Sequence, residues 1–431
     1  MSDTTITHVH ARRIWDSRGR PTVEAEVTLA DGTVARGIAP AGASMGSREA
    51  IELRDGGARL GGYDVSRAVA NVRGEIADTL KGMDAADQQG IDDALITLDG
   101  TPTKSRLGGN ATVATSLAVL HATAASRGLP LWKHLAGDDA VDMPLPEIQI
   151  FGGGAHAGRR VDIQDFMVMP LGASSFAQAM EMTAEVYMAA GALMKEAGKR
   201  QGVADEGGYW PVFSANEEAL EMLTRAIHKA GFKGGDDVAI SLDIAASEFG
   251  SGGQYQLGLE KRTLDTAGMI DMLGRWIDAY PIISIEDPLA EDDESGLIEF
   301  TRLHGERVQV IGDDYLVTNA ARVAEAVRLK ACNCALIKLN QAGTVSETHA
   351  ALMAAQAAGW SAIVSARSGE TEDVAIAHLA VGWNAGQLKV GSFARSERMA
   401  KWNEGVRIEE MLGNRTRYAG KGALPLAARR K

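Results

Sequence analysis

Six short apolar runs in the second half of the chain lead to groups that can do chemistry. Val238–Leu242 leads to Asp243, Pro281–Ile285 to Glu286, Val308–Ile311 to Asp313, and Ala335–Ile337 to Lys338. Ser361–Val364 leads to the stretch Ser365–Ser368, and Gln387–Val390 carries Lys389. Three carboxylates brought to one mouth repel each other unless a cation sits among them. Hard oxygen donors suit Mg²⁺ or Mn²⁺ better than zinc. Lys338 and Lys389 face the same cation. A lysine beside a metal and a second positive charge is pushed toward the neutral amine, which makes it a candidate base. The other reading is a lysine that only pairs with the carboxylates. Arg367 and Ser368 offer a fork of donors and a hydroxyl to a phosphate or carboxylate. The alternative there is an Arg367 pair with Glu370 or Glu372. As a set, these groups suit removal of a proton next to a carboxylate, with the developing negative charge stabilised by metal ions.

These groups need elements to position them. Most of the later runs are separated by about 25 residues of amphipathic helical sequence, the βα rhythm of a parallel sheet. A closed α/β barrel is expected over an open sheet, with the chemistry at the C-terminal ends of its strands. Ser174-Ser175 is expected to cap a helix with Phe176, Met180 and Met188 at apolar positions, ending near Gly198. The first third reads differently. Val23, Ala25, Val27 and Leu29 alternate with Thr22, Glu24, Glu26 and Thr28; Asp31-Gly32 turns, and Thr33–Ala39 returns. That pattern predicts an antiparallel hairpin with one wet face. From about Val65 to Gly128 the pattern is helical, and Met143-Pro144-Leu145-Pro146 marks a boundary. We therefore expect an α+β domain over 1–138 and a barrel over 139–431.

The 431 residues suit two domains, and 45% apolar with 23% charged residues describe a globular protein. A net charge of −13 without a basic stripe argues against nucleic acid. Cys332 and Cys334 read as core thiols, which suits a reducing compartment. With no signal-like N-terminus and no apolar run near about 18 residues, a cytoplasmic protein without a membrane partner is expected.

At the residues above, and across nearly the whole chain, the sequence resembles the enolase family. The resemblance is carried by "DSRGRPTVEAEV" (16–27), "GASMGSREAIELRDG" (42–56), "VDIQDFM" (161–167), "DEGGYWP" (205–211) and "SLDIAASEF" (241–249). It continues through "SIEDPL" (284–289), "GDDYLVTN" (312–319), "IKLNQAGT" (337–344), "RSGETED" (367–373) and "ARSERMAKWNEGVRIEE" (394–410). It implies an N-terminal α+β domain, a mixed C-terminal α/β barrel, and a homodimer or larger assembly. It also implies dehydration of a phosphorylated hydroxy acid, 2-phosphoglycerate, with two Mg²⁺ ions, the second arriving with substrate. By the same resemblance Asp243, Glu286 and Asp313 hold the first ion, and Ser44 completes the second site and faces the substrate. Lys338 is the base at carbon 2, and Glu206 is the acid that assists hydroxide departure from carbon 3. Lys389 and Gln164 bind substrate, Arg367 and Ser368 clamp the phosphate, and His156 lies on a closing loop.

The sequence departs from the family at a few positions. Ala366 stands where the family has histidine, and Asp165, placed among the catalytic groups, stands where it has glutamate. Ala204 replaces a glycine, Met45 a threonine and Gly152 an asparagine. Asp165 is shorter than glutamate by one methylene, and Ala366 removes a ring. Both changes are expected to open space near the leaving group. Two enzymatic readings follow: dehydration of 2-phosphoglycerate, or a specialised enzyme with an altered substrate, of the carboxyphosphonoenolpyruvate synthase type. A non-catalytic scaffold is the third, against which the retained Lys338, Glu206 and metal ligands argue.

Overall fold

The computed structural model describes residues 3–43 and 45–425, the side chain of Gln201 excepted. The predicted hairpin is Pro21–Leu29 against Val34–Ile38, and Ile6–Trp15 adds a third antiparallel strand. The expected wet face is only half wet: Thr22 and Glu24 are buried. Thr22 Oγ1 donates to Ala39 O at 2.6 Å, and the Arg12 guanidinium lies over Glu24 and Glu26. On the other face lies the helix Gly109–Ser126, buried nearly all round. Its close approach requires a glycine in the sheet: a Cβ on Gly37 would lie 2.4 Å from the backbone N of Ala118.

The expected barrel is present, and all six runs are strands in it. Ala239–Asp243, Ile282–Glu286, Gln309–Gly312, Cys334–Ile337, Ser361–Ser365 and Gly386–Ser392 pair in parallel, each with the next. Two further strands close the ring. Leu145–Gly152 pairs in parallel with Gly386–Ser392, and Asp165–Met169 runs antiparallel between Leu145–Gly152 and Ala239–Asp243. The reversed strand matters for the site. Because it runs the other way, its first residue, Asp165, lies level with Asp243 at the last position of the neighbouring strand.

Helices connect the strands on the outside. Ser175 caps Phe176–Glu196 by accepting from Gln178 N at 3.0 Å, as the sequence suggests. Met188, expected on the apolar face, is 57% exposed. Twelve residues beyond Phe176 it has rotated about 120° off that face. Cys332 and Cys334 are both buried and free. Inside the barrel, below the mouth, Glu147, Ser241, Ser284, Gln309 and Gln387 form a polar layer with no exposure. No described helix is long and apolar enough to cross a membrane.

The two parts of the chain meet beside the mouth. Ala41 and Gly369 exchange backbone hydrogen bonds of 2.9 and 2.8 Å, and Ala50 N donates to Gln341 O at 2.8 Å.

Candidate active site

Asp243 and Glu286 are register partners at the ends of adjacent strands. Lys389 Nζ, reaching over from Gly386–Ser392, donates to Asp243 Oδ2 at 3.0 Å and Glu286 Oε2 at 2.6 Å. Asp313, just past the next strand, accepts from Lys338 Nζ and from Gln341 Nε2, the latter at 2.8 Å. Lys338 is itself fixed by Thr318 Oγ1, which accepts its backbone N–H at 2.9 Å. Gln164 Nε2 donates to Asp243 Oδ2 at 3.1 Å. All of these side chains are buried.

The charges act strongly on one another. Burial, and then the Asp243 charge, push Glu286 well above the usual carboxylate range. Burial works against the Lys389 ammonium, but Asp243 and Glu286 hold it charged well above its ordinary value. Burial likewise works against Lys338, and Asp313 outweighs it, so Lys338 sits above its ordinary value. In this arrangement Asp313 holds the proton on Lys338; the neutral amine expected from the sequence needs a cation to take up the Asp313 charge.

The donor set fits a hard divalent cation. Glu286 Oε1 and Gln164 Oε1 are buried acceptors without a hydrogen-bond partner. Two tighter acidic groupings also occur, with ligand atoms within 4.8 Å: Asp287, Asp313 and Asp314, and His156, Asp165 and Glu206. Asp287 already spends both oxygens on the backbone N–H groups of Asp313 and Asp314, at 2.8 and 2.9 Å. In the other grouping, His156 fills the role of the cation. Asp243, Glu286 and Asp313 are thus the set with an orphaned oxygen to offer.

The opposite side of the mouth is held by loops. His156 Nδ1 lies 3.1 Å from Asp165 Oδ1, and Nε2 lies 3.0 Å from Ser368 Oγ and 3.7 Å from Glu206 Oε1. Burial opposes a charge on this ring, but Glu206 and Asp165 together outweigh it and raise His156 to about 9. At neutral pH the ring is an imidazolium. Glu206 sits in a turn in which Ala204 N donates to Gly208 O at 2.7 Å and Asp205 N to His156 O at 3.2 Å. His156, Glu206, Asp165, Gln164, Lys338, Arg367, Ser368 and Lys389 line one cavity of about 310 Å³, counted up to bulk solvent. Ser44 lies outside the described residues.

Arg367 pairs with neither Glu370 nor Glu372 through its guanidinium. Its Nη1 donates to Glu49 Oε2 at 3.0 Å and Asn340 Oδ1 at 2.9 Å, and Nη2 to Glu49 Oε1 at 3.3 Å. Glu370 takes the Arg367 backbone N–H instead, at 2.9 Å. Arg398 braces the segment from below, donating to the carbonyls of Arg367, Val390 and Ser368 at 2.7, 2.8 and 2.5 Å.

Asp165 is not drawn back into open space as expected. Its Oδ1 is gripped by Gln149 as well as His156. Ala366 lines the cavity, yet it is buried and belongs to the main apolar cluster. Sequence reasoning missed Glu49, Gln341, Gln149 and Glu147. The last two did leave a signal: polar residues at alternate positions of the otherwise apolar "LPEIQIF", a run buried throughout. Glu49, which comes from the other domain, left none.

Comparison with known proteins agrees with this geometry. The family model for the enolase C-terminal TIM barrel domain matches residues 140–425, and that for the enolase N-terminal domain matches residues 6–135. Enolase 1 of Desulfitobacterium hafniense (strain Y51) is 50% identical over 430 residues, covering 99% of this chain and 98% of that protein. With matching models over both domains and a full-length relative at this identity, the chain belongs to the enolase family and is a hydro-lyase of that family.

Proposed function

We propose that the protein removes the carbon-2 proton of 2-phosphoglycerate and expels hydroxide from carbon 3, giving phosphoenolpyruvate and water. The observation that carries this reading is the convergence of Lys338, Lys389, the Arg367–Ser368 pair and the His156–Glu206 pair on one cavity. Lys338 takes the proton from carbon 2, and the freed electron pair becomes the second carbon–carbon bond. The carbon–oxygen bond at carbon 3 breaks, and the hydroxide leaves as water with a proton held by His156 and Glu206. Lys389 faces the substrate carboxylate. Arg367, steadied by Glu49, and Ser368, steadied by His156, receive the phosphate. When bound, Mg²⁺ held by Asp243, Glu286 and Asp313 would neutralise those carboxylates, ease the grip of Asp313 on Lys338 and polarise the substrate carboxylate. Gln164 orients Asp243 for this. Ser44 is assigned to the second ion on the family pattern alone.

The domain boundary at 138/139, a homodimer and a cytoplasmic location belong to the same reading; the mass in solution tests the dimer. The reading with a bulkier substrate loses the support expected from Asp165, which is held in place, and rests on Ala366 alone, a buried residue that lines the cavity. The deciding experiment is phosphoenolpyruvate formation from 2-phosphoglycerate with purified protein and Mg²⁺, beside an ordinary enolase. A rate within about tenfold supports the assignment. Carbon-2 proton exchange without phosphoenolpyruvate would overturn it in favour of another phospho- or phosphono-acid.

A further inference from the structure

We infer that Gln149 is a positioning residue for the side of the site where hydroxide leaves: it aims Asp165, and through it His156, while anchoring the turn that carries Glu206. The inference rests on the reading above, in which His156 and Glu206 serve the leaving group.

Gln149 lies on the strand Leu145–Gly152 and has no exposure. Its amide joins two elements. Oε1 accepts the backbone N–H of Gly208 at 2.8 Å, and Nε2 donates to Asp165 Oδ1. The orientation is forced. The Gly208 N–H can only donate, so the amide oxygen must face it and the NH₂ must face the carboxylate. The same Oδ1 lies 3.1 Å from His156 Nδ1, and the other ring nitrogen lies 3.7 Å from Glu206 Oε1. Gly208 closes the Glu206 turn by accepting from Ala204 N at 2.7 Å. The contacts therefore form a circuit: Gln149 to Asp165, His156, Glu206, the turn, and back to Gln149.

The space is cut to this side chain. A Cβ on Gly208 would lie 2.3 Å from Gln149 Oε1, and one on Gly152 would lie 2.6 Å from Ala204 Cβ. Gln149 and Asp165 bond to each other directly, so their lengths are linked. Asp165→Glu lengthens one partner and needs Gln149→Asn to shorten the other. A fully buried amide with both ends engaged has no second arrangement of equal energy, because a lost partner leaves a buried polar group unsatisfied.

Steady-state kinetics with 2-phosphoglycerate and Mg²⁺ on full-length Gln149→Met, Gln149→Asn, Asp165→Glu and the Gln149→Asn/Asp165→Glu pair test this. Gln149→Met keeps the shape without donor or acceptor; it is expected to lower kcat about tenfold or more, with KM within about threefold. Each length change alone also lowers kcat, and the double variant, which restores the contact with residue 165 but not the full reach to Gly208, recovers part of that loss. A residue that only supported the fold would not lower kcat selectively while leaving KM unchanged. A kcat for Gln149→Met equal to the parent's, or a double variant no better than the worse single, overturns the inference. If the parent does not dehydrate 2-phosphoglycerate, the functional reading falls, and an NMR titration of the His156 ring still decides the positioning role. Asp165, Glu206 and Asp243 all hold that ring charged. Losing the aim of Asp165 in Gln149→Met should lower its midpoint by about one unit, with return in the double variant. An unmoved midpoint overturns the inference.

Discussion

The mouth of the barrel is built in two ways. On one side Asp243, Glu286 and Lys389 lie on parallel strands, with Asp313 and Lys338 just past the ends of two more, and the ladders on either side set their height. On the other side His156 stands on the short 3-10 helix Gly154–Ala157 and Glu206 in a turn, and Asp165 begins the reversed strand of the barrel. There the positions are set by side chains bonding to one another, with Gln149 at the centre. The side that gathers charge is positioned by backbone, and the side that handles the leaving group by a hydrogen-bonded circuit. A substitution on the first side should therefore leave its neighbours in place, and one on the second should displace them together.

The largest effect is expected at Lys338. Lys338→Ala should lower exchange of the carbon-2 proton into deuterated solvent by about 10⁴-fold. Asp313 would keep Gln341 as a partner, so the fold should survive the change. Exchange within about tenfold of the parent would remove Lys338 as the base. A smaller and different loss is expected at Glu206. Glu206→Gln should lower phosphoenolpyruvate formation by about 10²–10³-fold while carbon-2 exchange stays within about tenfold. If exchange fell as far as product formation, the two sides would not be separable, and the comparison would break.

The same division explains what the sequence revealed. Asp243, Glu286, Lys338 and Lys389 were legible because an apolar run of strand length announces where a barrel strand ends, and the mouth follows from that. The two closing strands were not. Leu145–Gly152 is interrupted by Glu147 and Gln149, and Asp165–Met169 runs against its neighbours, which no local pattern records. His156 and Glu206 came only through the family resemblance, since a histidine in a glycine-rich loop has no periodicity to read. Glu49 escaped altogether: its partner Arg367 is more than three hundred residues away, and pairing across domains leaves no mark on either segment.

The two sides should also lose stability in different pH windows. Glu147, in the polar layer under the charged side, is pushed up to about 7 by burial, against the pull of Lys389. Folding then favours its neutral form. Its contribution is fully present below the unfolded value of 4.5 and is lost as pH rises through about 7. His156 on the loop side is held charged up to about 9, against 6.5 when unfolded. Its contribution is complete below about 6.5 and is lost as pH rises through about 9. Each loss amounts to about 3 kcal/mol at full titration. Denaturant unfolding of parent, Glu147→Gln and His156→Gln across this range separates them. Glu147→Gln should flatten the fall between pH 4.5 and 7 and leave the later one, and His156→Gln should do the reverse. If Glu147→Gln also flattened the alkaline fall, charge in the barrel core would be setting the loop circuit. The two sides of the mouth would then be one electrostatic unit despite their different construction.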